Sequence, residues 1–434
     1  MKGGYIQMRK YNLVVCGGGL TGVAAAIQAK RSGVGSVLLI ERYGFLGGMA
    51  TAGLVNPFMP YWKEGVLPSQ GGQLVFGLFD EMRQRLHELA GYDYAGDHFD
   101  AECMKIVLQR MCLEAGVELL LHTYVEQVHL KTDTVKEISR VVAVRVAHKS
   151  GVEFMAADAF IDCTGDADVA HLCGVPWVKG REQDGFCQPM TLSFRMANVD
   201  REKMPSNSEI DRLYDEAKER GEIHNPREDV LHFHVMQDDV VHFNTTRVVM
   251  HDATSARSLT DAELIAREQV WEMVSFLKKH VSGFENAYLQ TTGTQIGVRE
   301  SRRIVGEYTL TADEVLGQAR FEDAIVRFAY NIDIHSPTGT GTEHRVLPQG
   351  GYYEIPYRCM VPKKITNLLV AGRPISADHA AHSSLRVMPA CVAMGQAAGL
   401  AASILLRKGG TFAQLNGKQL HNRLVDIGAM KADA

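Results

Sequence analysis

The chain has 434 residues, with 46 Lys+Arg against 51 Asp+Glu and a formal net charge of −5. At about 150 residues per domain, that length suggests about three units, or two with a large insertion, and a core that needs no disulfide or metal staple. The charge balance and the lack of a polybasic block exclude nucleic acid and a membrane surface as expected partners. The 41 glycines exceed the usual ~7%.

Residues 1–7 read as a floppy extension. Arg9 and Lys10 precede the apolar run Leu13-Val14-Val15-Cys16, which is too short for a secretory core of ~7–15 residues. The eight cysteines are scattered without a C-x-x-C pair, as expected for reduced thiols in the cytoplasm. No apolar stretch reads as long enough to span a bilayer, which takes ~18 residues.

Residues 11–42 read as one βαβ unit. Tyr11 to Cys16 is a buried parallel strand, Val23 to Lys30 an Ala-rich helix stopped at Gly33, and Ser36 to Ile40 a second strand. Asp100 to Ala115 predicts a helix with Met104, Val107, Leu108 and Met111 on one face. Val117 to Leu121 and Val125 to Leu130 predict strands. Ile138 to Val146 and Val152 to Ala156 predict a hairpin around residues 148–151, and Ala159 to Cys163 a separate strand. From 181 to 358 the texture turns to α+β. Strand-like runs cover 190–196, 230–236 and 240–250, and Thr260/Glu263 and Thr311/Glu314 each match a capping box. A last apolar strand covers 365–371, and Pro389 and Gly409-Gly410 bracket a helix.

Gly17-x-Gly19-x-x-Gly22 lies between the first strand and the first helix, and Glu41 ends the next strand. That context marks a dinucleotide fingerprint. Gly17 allows the tight turn, Gly19 lets backbone approach a pyrophosphate, and Gly22 lets helix pack on sheet. The helix N-terminus offers N–H groups to phosphate, and Glu41 can accept from ribose hydroxyls. The loop residues Gly18, Leu20 and Thr21 belong to the same cradle. NAD and FAD both fit such a fingerprint.

Three further motifs discriminate between them. Glu41 to Gly48 resembles the acidic residue and following glycine doublet, here Gly47-Gly48, of glutathione-reductase-like flavoproteins. Ile161 to Asp168, containing Thr164-Gly165-Asp166, resembles their T-G-D motif, and the hairpin before it their β-meander. Asn367 to Arg373, then Ser383 to Pro389, then Gly395 to Gly399 resemble their closing motif. With 297–307 and 357–363, the chain resembles one bacterial family of FAD-dependent oxidoreductases over most of 11–405.

That resemblance implies an α/β fold: a Rossmann-like FAD-binding domain with a β-meander, discontinuous in sequence, plus an inserted α+β substrate domain. The boundaries expected are 9–55, 100–180 and 359–425 for the FAD-binding parts, with 56–99 a helical insertion at the junction. Residues 181–358 would be the substrate or cap domain, and 426–434 a tail. It also implies FAD contacts from Arg42, Gly47, Gly48, Met49, Val125, Thr164, Gly165, Asp166, Gly372, Arg373, Val387, Met388 and Gly395. The helix near Pro389 would present its positive end to the reduced flavin.

No second fingerprint and no C-x-x-C exist, so a hydride is expected to pass directly between flavin N5 and a small-molecule substrate. The electron donor or acceptor and the oligomeric state stay open. His379 and His382 lead into the flavin-facing helix and are candidate proton acceptors; His335 and His344 are weaker ones. Arg299 and Arg302 are candidate carboxylate clamps, or members of an ion-pair network with Glu300 and Arg303. His232, His234 and His242 alternate on strands without an acidic or Cys partner at metal spacing, so no metal is expected. The glycines at 339, 341, 350 and 351 suggest a loop lid. A nicotinamide-only dehydrogenase and a non-catalytic flavin-fold binding protein are the alternatives. The second would be expected to lose Glu41 or the fingerprint glycines, and all are present.

Overall fold

The computed structural model describes residues 8–432; the expected N-terminal extension lies outside them. The first unit is β1 (Met8–Cys16), α1 (Leu20–Arg31) and β2 (Val37–Ile40). Helix α1 is rich in alanine, as its propensity requires, and ends where Gly33 takes a positive φ. Next come α2 (Leu78–Glu88), α3 (Ala101–Glu114) and β3 (Glu118–Leu120). Asp100 caps α3 by accepting from the N–H groups of Glu102 and Cys103. The meander follows: β4 (Tyr124–Asp133), β5 (Ile138–His148) and β6 (Gly151–Asp162).

The main sheet runs β3-β2-β1-β6-β5-β4. Strands β1, β2, β3 and β6 are parallel, and β4, β5 and β6 are antiparallel. A correction concerns β6. The two separate strands expected at 152–156 and 159–163 are one continuous strand, Gly151–Asp162. Its first half pairs with β5 and its length with β1, so one strand joins the meander to the parallel sheet.

The inserted region carries β7 (Phe194–Ala197), β8 (His232–His234), β9 (Val241–Phe243), α4 (Ala256–His280) and β10 (Tyr288–Thr292). Its strands form a separate antiparallel sheet in the order β8-β9-β7-β10. They share an apolar core with α4 built on Leu192, Phe194, Phe243, Met273 and Phe284. Helix α4 starts earlier than the Thr260/Glu263 box implied. Ser255 is its cap, and the Thr260 hydroxyl donates back to Ala256 O inside the helix. The box at Thr311/Glu314 is formed, but it opens a five-residue helix.

The chain then returns to the first sheet. Strand β11 (Leu368–Val370) pairs in parallel with the end of β6. Helix α5 (His379–Leu385) precedes α6 (Met388–Lys408). A second correction concerns α6. It is long and apolar enough to cross a membrane by length and composition, with 94% of its apolar window buried inside the protein. A helix apolar on all sides suits a core position, and α6 lies against α1. Gly395 and Gly399 make that contact possible, since an added Cβ would sit 2.1 Å from Thr21 O and 2.2 Å from Ala25 O, respectively.

Candidate functional site

The fingerprint loop is stitched to its neighbours through backbone. Gly17 takes φ +101, and an added Cβ would lie 2.3 Å from Cys163 O. At Gly22 it would lie 1.8 Å from Gly17 O, and at Gly18 2.7 Å from the Leu46 side chain. Protein packing therefore demands those three glycines. Gly19 differs: its added Cβ would meet only Gly48 Cα, at 3.9 Å. The space over Gly19 is open, and α1 begins there with no side-chain cap. Its first N–H groups are free to meet an anion.

Gly47 N donates to Gly18 O at 2.8 Å, and an added Cβ on Gly48 would stand 2.9 Å from Gly19 Cα. The doublet thus forms the wall facing the fingerprint loop, with Met49 in the same short turn. Leu20 and Thr21 open α1, and both are buried. The Glu41 carboxylate is fixed by the N–H groups of Gly18 (2.6 Å) and Tyr43 (2.9 Å). Burial raises its pKa, and those two donors hold it back. Arg42 lies beside it and donates to Gln295 Oε1 at 2.6 Å. Val125, on β4, is partly buried and packs against an apolar cluster that includes Val141 and Val146.

At the end of β6, Asp162 accepts from Thr164 N, Thr164 Oγ1 and Ala170 N, which shapes the T-G-D turn. Arg373 gathers this turn and the inserted region together. It donates to Gly165 O (2.8 Å), to Asp166 Oδ1 (2.6 Å) and to Val298 O. Its guanidinium is thus engaged by protein, and it braces the site. Gly372 takes φ +87 against Thr21. Val387 is the N-cap residue of α6 and Met388 its first residue, again with no side-chain cap. Gly395 lies deeper, at the contact with α1 rather than at the open end.

The residues fit FAD on three observations together: open space over Gly19, and two helices whose N-termini carry no side-chain cap. A family model described as FAD dependent oxidoreductase matches residues 12–424. The chain belongs to this FAD dependent oxidoreductase family. It is a flavin enzyme, and FAD is its cofactor. No curated protein matches the oxidoreductase. Among solved structures it is similar to a geranylgeranyl bacteriochlorophyll reductase-like protein from Thermoplasma acidophilum, with 10% identity, a TM-score of 0.47, and coverage of 97% of this chain and 84% of that one. It is also similar to p-nitrophenol 4-monooxygenase PnpA from Pseudomonas putida DLL-E4, with 10% identity, a TM-score of 0.48, and coverage of 98% and 91%.

The two histidines of the oxidoreductase's α5 differ in environment. His382 is fully buried, with Nε2 3.1 Å from Arg373 O. A carbonyl only accepts, so Nε2 carries the hydrogen, and Nδ1 is left without a partner. Burial holds its pKa well below the ordinary value, and Arg303, Arg386 and Arg373 push the same way. His379 keeps partial exposure, and its Nδ1 lies 2.9 Å from Glu300 Oε1. A carboxylate there makes Nδ1 the donor and leaves Nε2 as a free acceptor. Glu300 is itself buried and paired with Arg303.

The two expected clamp arginines also separate. Arg302 is engaged by Asp168 Oδ1 and Asp166 O, both at 3.0 Å, and lies over the Trp177 ring. It holds the T-G-D turn to the strand Arg302–Ile304. Arg299 reaches Pro189 O, Thr191 Oγ1 and Asn244 Oδ1 but no carboxylate. His335 is buried against Arg247 and Thr342, and His344 is exposed beside Asp333. The segment with the glycines at 339 and 341 is a hairpin turn whose carbonyls accept from Arg247. Among the described residues, no group of three or more His, Cys, Asp or Glu side chains is placed to hold a metal ion.

Sequence reading missed Gln188, Arg386 and Asp333. Gln188 Oε1 accepts from Arg386 Nη2 at 3.2 Å, and Tyr330 Oη donates to Asp333 Oδ2 at 3.2 Å. Arg386 stands just before the α6 cap and was in view within the closing motif. Nothing local in the sequence marks the other two.

Proposed function

We propose that the oxidoreductase moves a hydride between its flavin and a small organic substrate, with His379 handling the accompanying proton. The observation that carries this reading is the open face of Gly19. Among Gly17, Gly18, Gly19 and Gly22 it is the one that protein packing does not demand. Bound FAD supplies N5 as the atom that gains or gives the hydride.

The chain's own residues do the rest. Gly17 to Gly22 and Gly47 to Met49 would line the pyrophosphate, and Glu41 with Arg42 and Val125 would serve the adenosine end. Thr164 to Asp166, Gly372, Val387 and Met388 would line the flavin end, with Arg373 as brace. Glu300 holds the His379 ring with Nε2 free to take a hydroxyl or amine proton from substrate carbon chemistry. His382 is a positioning residue, since its Nε2 is engaged and burial disfavours its charged form. Membership of the glutathione-reductase-like superfamily and the domain boundaries drawn from sequence belong to the same proposal. A cytoplasmic location is supported by eight free cysteines.

The test is the purified protein's spectrum, followed by anaerobic titration with a panel of alcohols, amines and acids. A yellow protein bleached by one panel member is expected. A colourless chain that takes up no added FAD overturns the reading.

A further inference from the structure

Among the described residues, Arg299 and Arg386 lack a counter-ion, as does buried Arg195 on β7. Most arginines here are matched: Arg302 with Asp168, Arg303 with Glu300, Arg373 with Asp166, Arg227 with Asp229 and Arg247 with Glu228. Arg299 and Arg386 are not. Among the described residues, neither has a carboxylate at ion-pair distance. Their hydrogen bonds go to neutral acceptors: Pro189 O, Thr191 Oγ1 and Asn244 Oδ1 for Arg299, and Gln188 Oε1 for Arg386.

The two arginines share one place. The short segment 188–191 bonds to both, since Gln188 holds Arg386 and Pro189 with Thr191 holds Arg299. The charge of Arg386 acts on the Arg299 guanidinium. His335 N and Arg386 Nη2 converge on the same Gln188 oxygen. The acid whose charge acts on both is Asp333, one oxygen of which accepts from Tyr330 while the other makes no hydrogen bond.

Unsatisfied donors point the same way. Gln188 is 1% exposed, yet its Nε2 has no partner. Arg386 Nε, also buried, has none. A buried donor without an acceptor is costly, and an unmatched buried cation more so. Burial lowers the pKa of both arginines while Asp333 acts the other way, and a bound negative charge would offset the cost of burial further.

We propose that Arg299, Arg386 and Gln188 form the subsite for a carboxylate on the substrate. It rests on the flavoenzyme reading, because Arg386 lies immediately before the N-cap of α6, where the flavin end of the site is drawn. A planar carboxylate matches a guanidinium fork in two hydrogen bonds and would also take the free Gln188 N–H. The substrate is therefore an organic acid, bound by its carboxylate while His379 serves the carbon being oxidised or reduced. A phosphate of FAD has the same chemistry as an anion, but the free N–H groups at Gly19 already serve it at the other end of the site.

Isothermal titration calorimetry on the FAD-loaded protein tests this with acetate, succinate and benzoate against acetamide, succinamide and benzamide. At least one acid is expected to bind ten times or more tightly than its amide. Arg299→Gln and Arg386→Gln should each weaken it about tenfold or more, with FAD content unchanged. Arg386→Lys keeps the charge and loses the fork, so it should fall between. Acids and amides binding alike, no acid binding, or equal affinity in the folded Arg299→Gln protein overturns the proposal. So does loss of FAD from Arg386→Gln or Arg386→Lys, which would assign Arg386 to a cofactor phosphate. A chain that holds no FAD overturns the flavoenzyme reading alone, because the same titration on the apo-protein still reads the arginines.

Discussion

The side chain of Asn367 takes the place of a missing strand, pairing with both the N–H and the C=O of Val141, 226 residues away. It also donates to Asp158 O at 3.1 Å. Strand β5 last pairs with β6 at Ala156, and β11 takes over the same edge at Phe160. Asn367 is fully buried, so its amide is the bridge between the two pairings. Asn367→Leu would strand two buried backbone groups, the N–H and C=O of Val141, at ~1–3 kcal/mol each, while Asp158 O keeps its bond from Arg140. A loss of about 2 kcal/mol or more is expected, read as a lower denaturation midpoint. A shift below about 1 kcal/mol would mean the edge is held by other contacts.

Gly19 and Gly22 should fail in different ways. At Gly22 an added Cβ meets Gly17 O at 1.8 Å, so Gly22→Val is expected to lose soluble folded protein. At Gly19 the protein leaves room. Gly19→Val should express and melt as the apo wild type does, while FAD occupancy falls about tenfold or more by blocked approach of the pyrophosphate. The ratio of flavin to protein absorbance reads both. Full FAD in Gly19→Val would move the phosphate site elsewhere.

His379→Ala is expected to keep FAD and to slow its reduction by substrate about 10²-fold or more in stopped flow. Glu300→Gln should act through the His379 ring and shift the pH profile of that step. His382→Ala should instead lower stability with a smaller effect on rate. Equal rates in wild type and His379→Ala would remove His379 from proton handling.

Asp162 gives a pH signature opposite to that of a salt-bridged carboxylate. Full burial raises its pKa from 3.8 to about 6, despite donors from Thr164 and Ala170. Between those values the folded state holds a proton that the unfolded state has lost. This group's contribution therefore falls as pH rises through about 4 to 6, by about 3 kcal/mol in all. Asp162→Asn has no such titration. Its stability relative to wild type should improve by about that amount from pH 4 to pH 7. A constant difference across that range would show that Asp162 ionises freely.

The first βαβ unit was legible because each of its signals is local: a β-branched run, three glycines at fixed spacing, an Ala-rich helix and Glu41. The continuity of β6 was hidden by Asp158, which interrupts the apolar run yet reaches out to Lys10 and Asn12 at the sheet surface. The start of α4 was hidden because its cap, Ser255, lacks an acidic residue three positions on, whereas Thr260 inside the helix has one. Arg299 and Arg302 look alike in sequence. What separates them is whether Asp166 and Asp168 reach them, and that depends on a turn more than 130 residues away. The arginine–glutamine cluster joins positions 188, 299 and 386, so its members meet only once the chain has returned to its first sheet.

That return sets an order on synthesis. The carboxyl-side edge of β6 is covered by residues 368–370, which leave the ribosome after the whole inserted region. Until then a nascent chain carries an apolar strand with one open edge, a template for pairing with other chains. A chain terminated before residue 368 keeps the fingerprint loop and Glu41 but has no partner for that edge. It is expected to aggregate, so the residues from 368 onward guard the solubility of the first sheet.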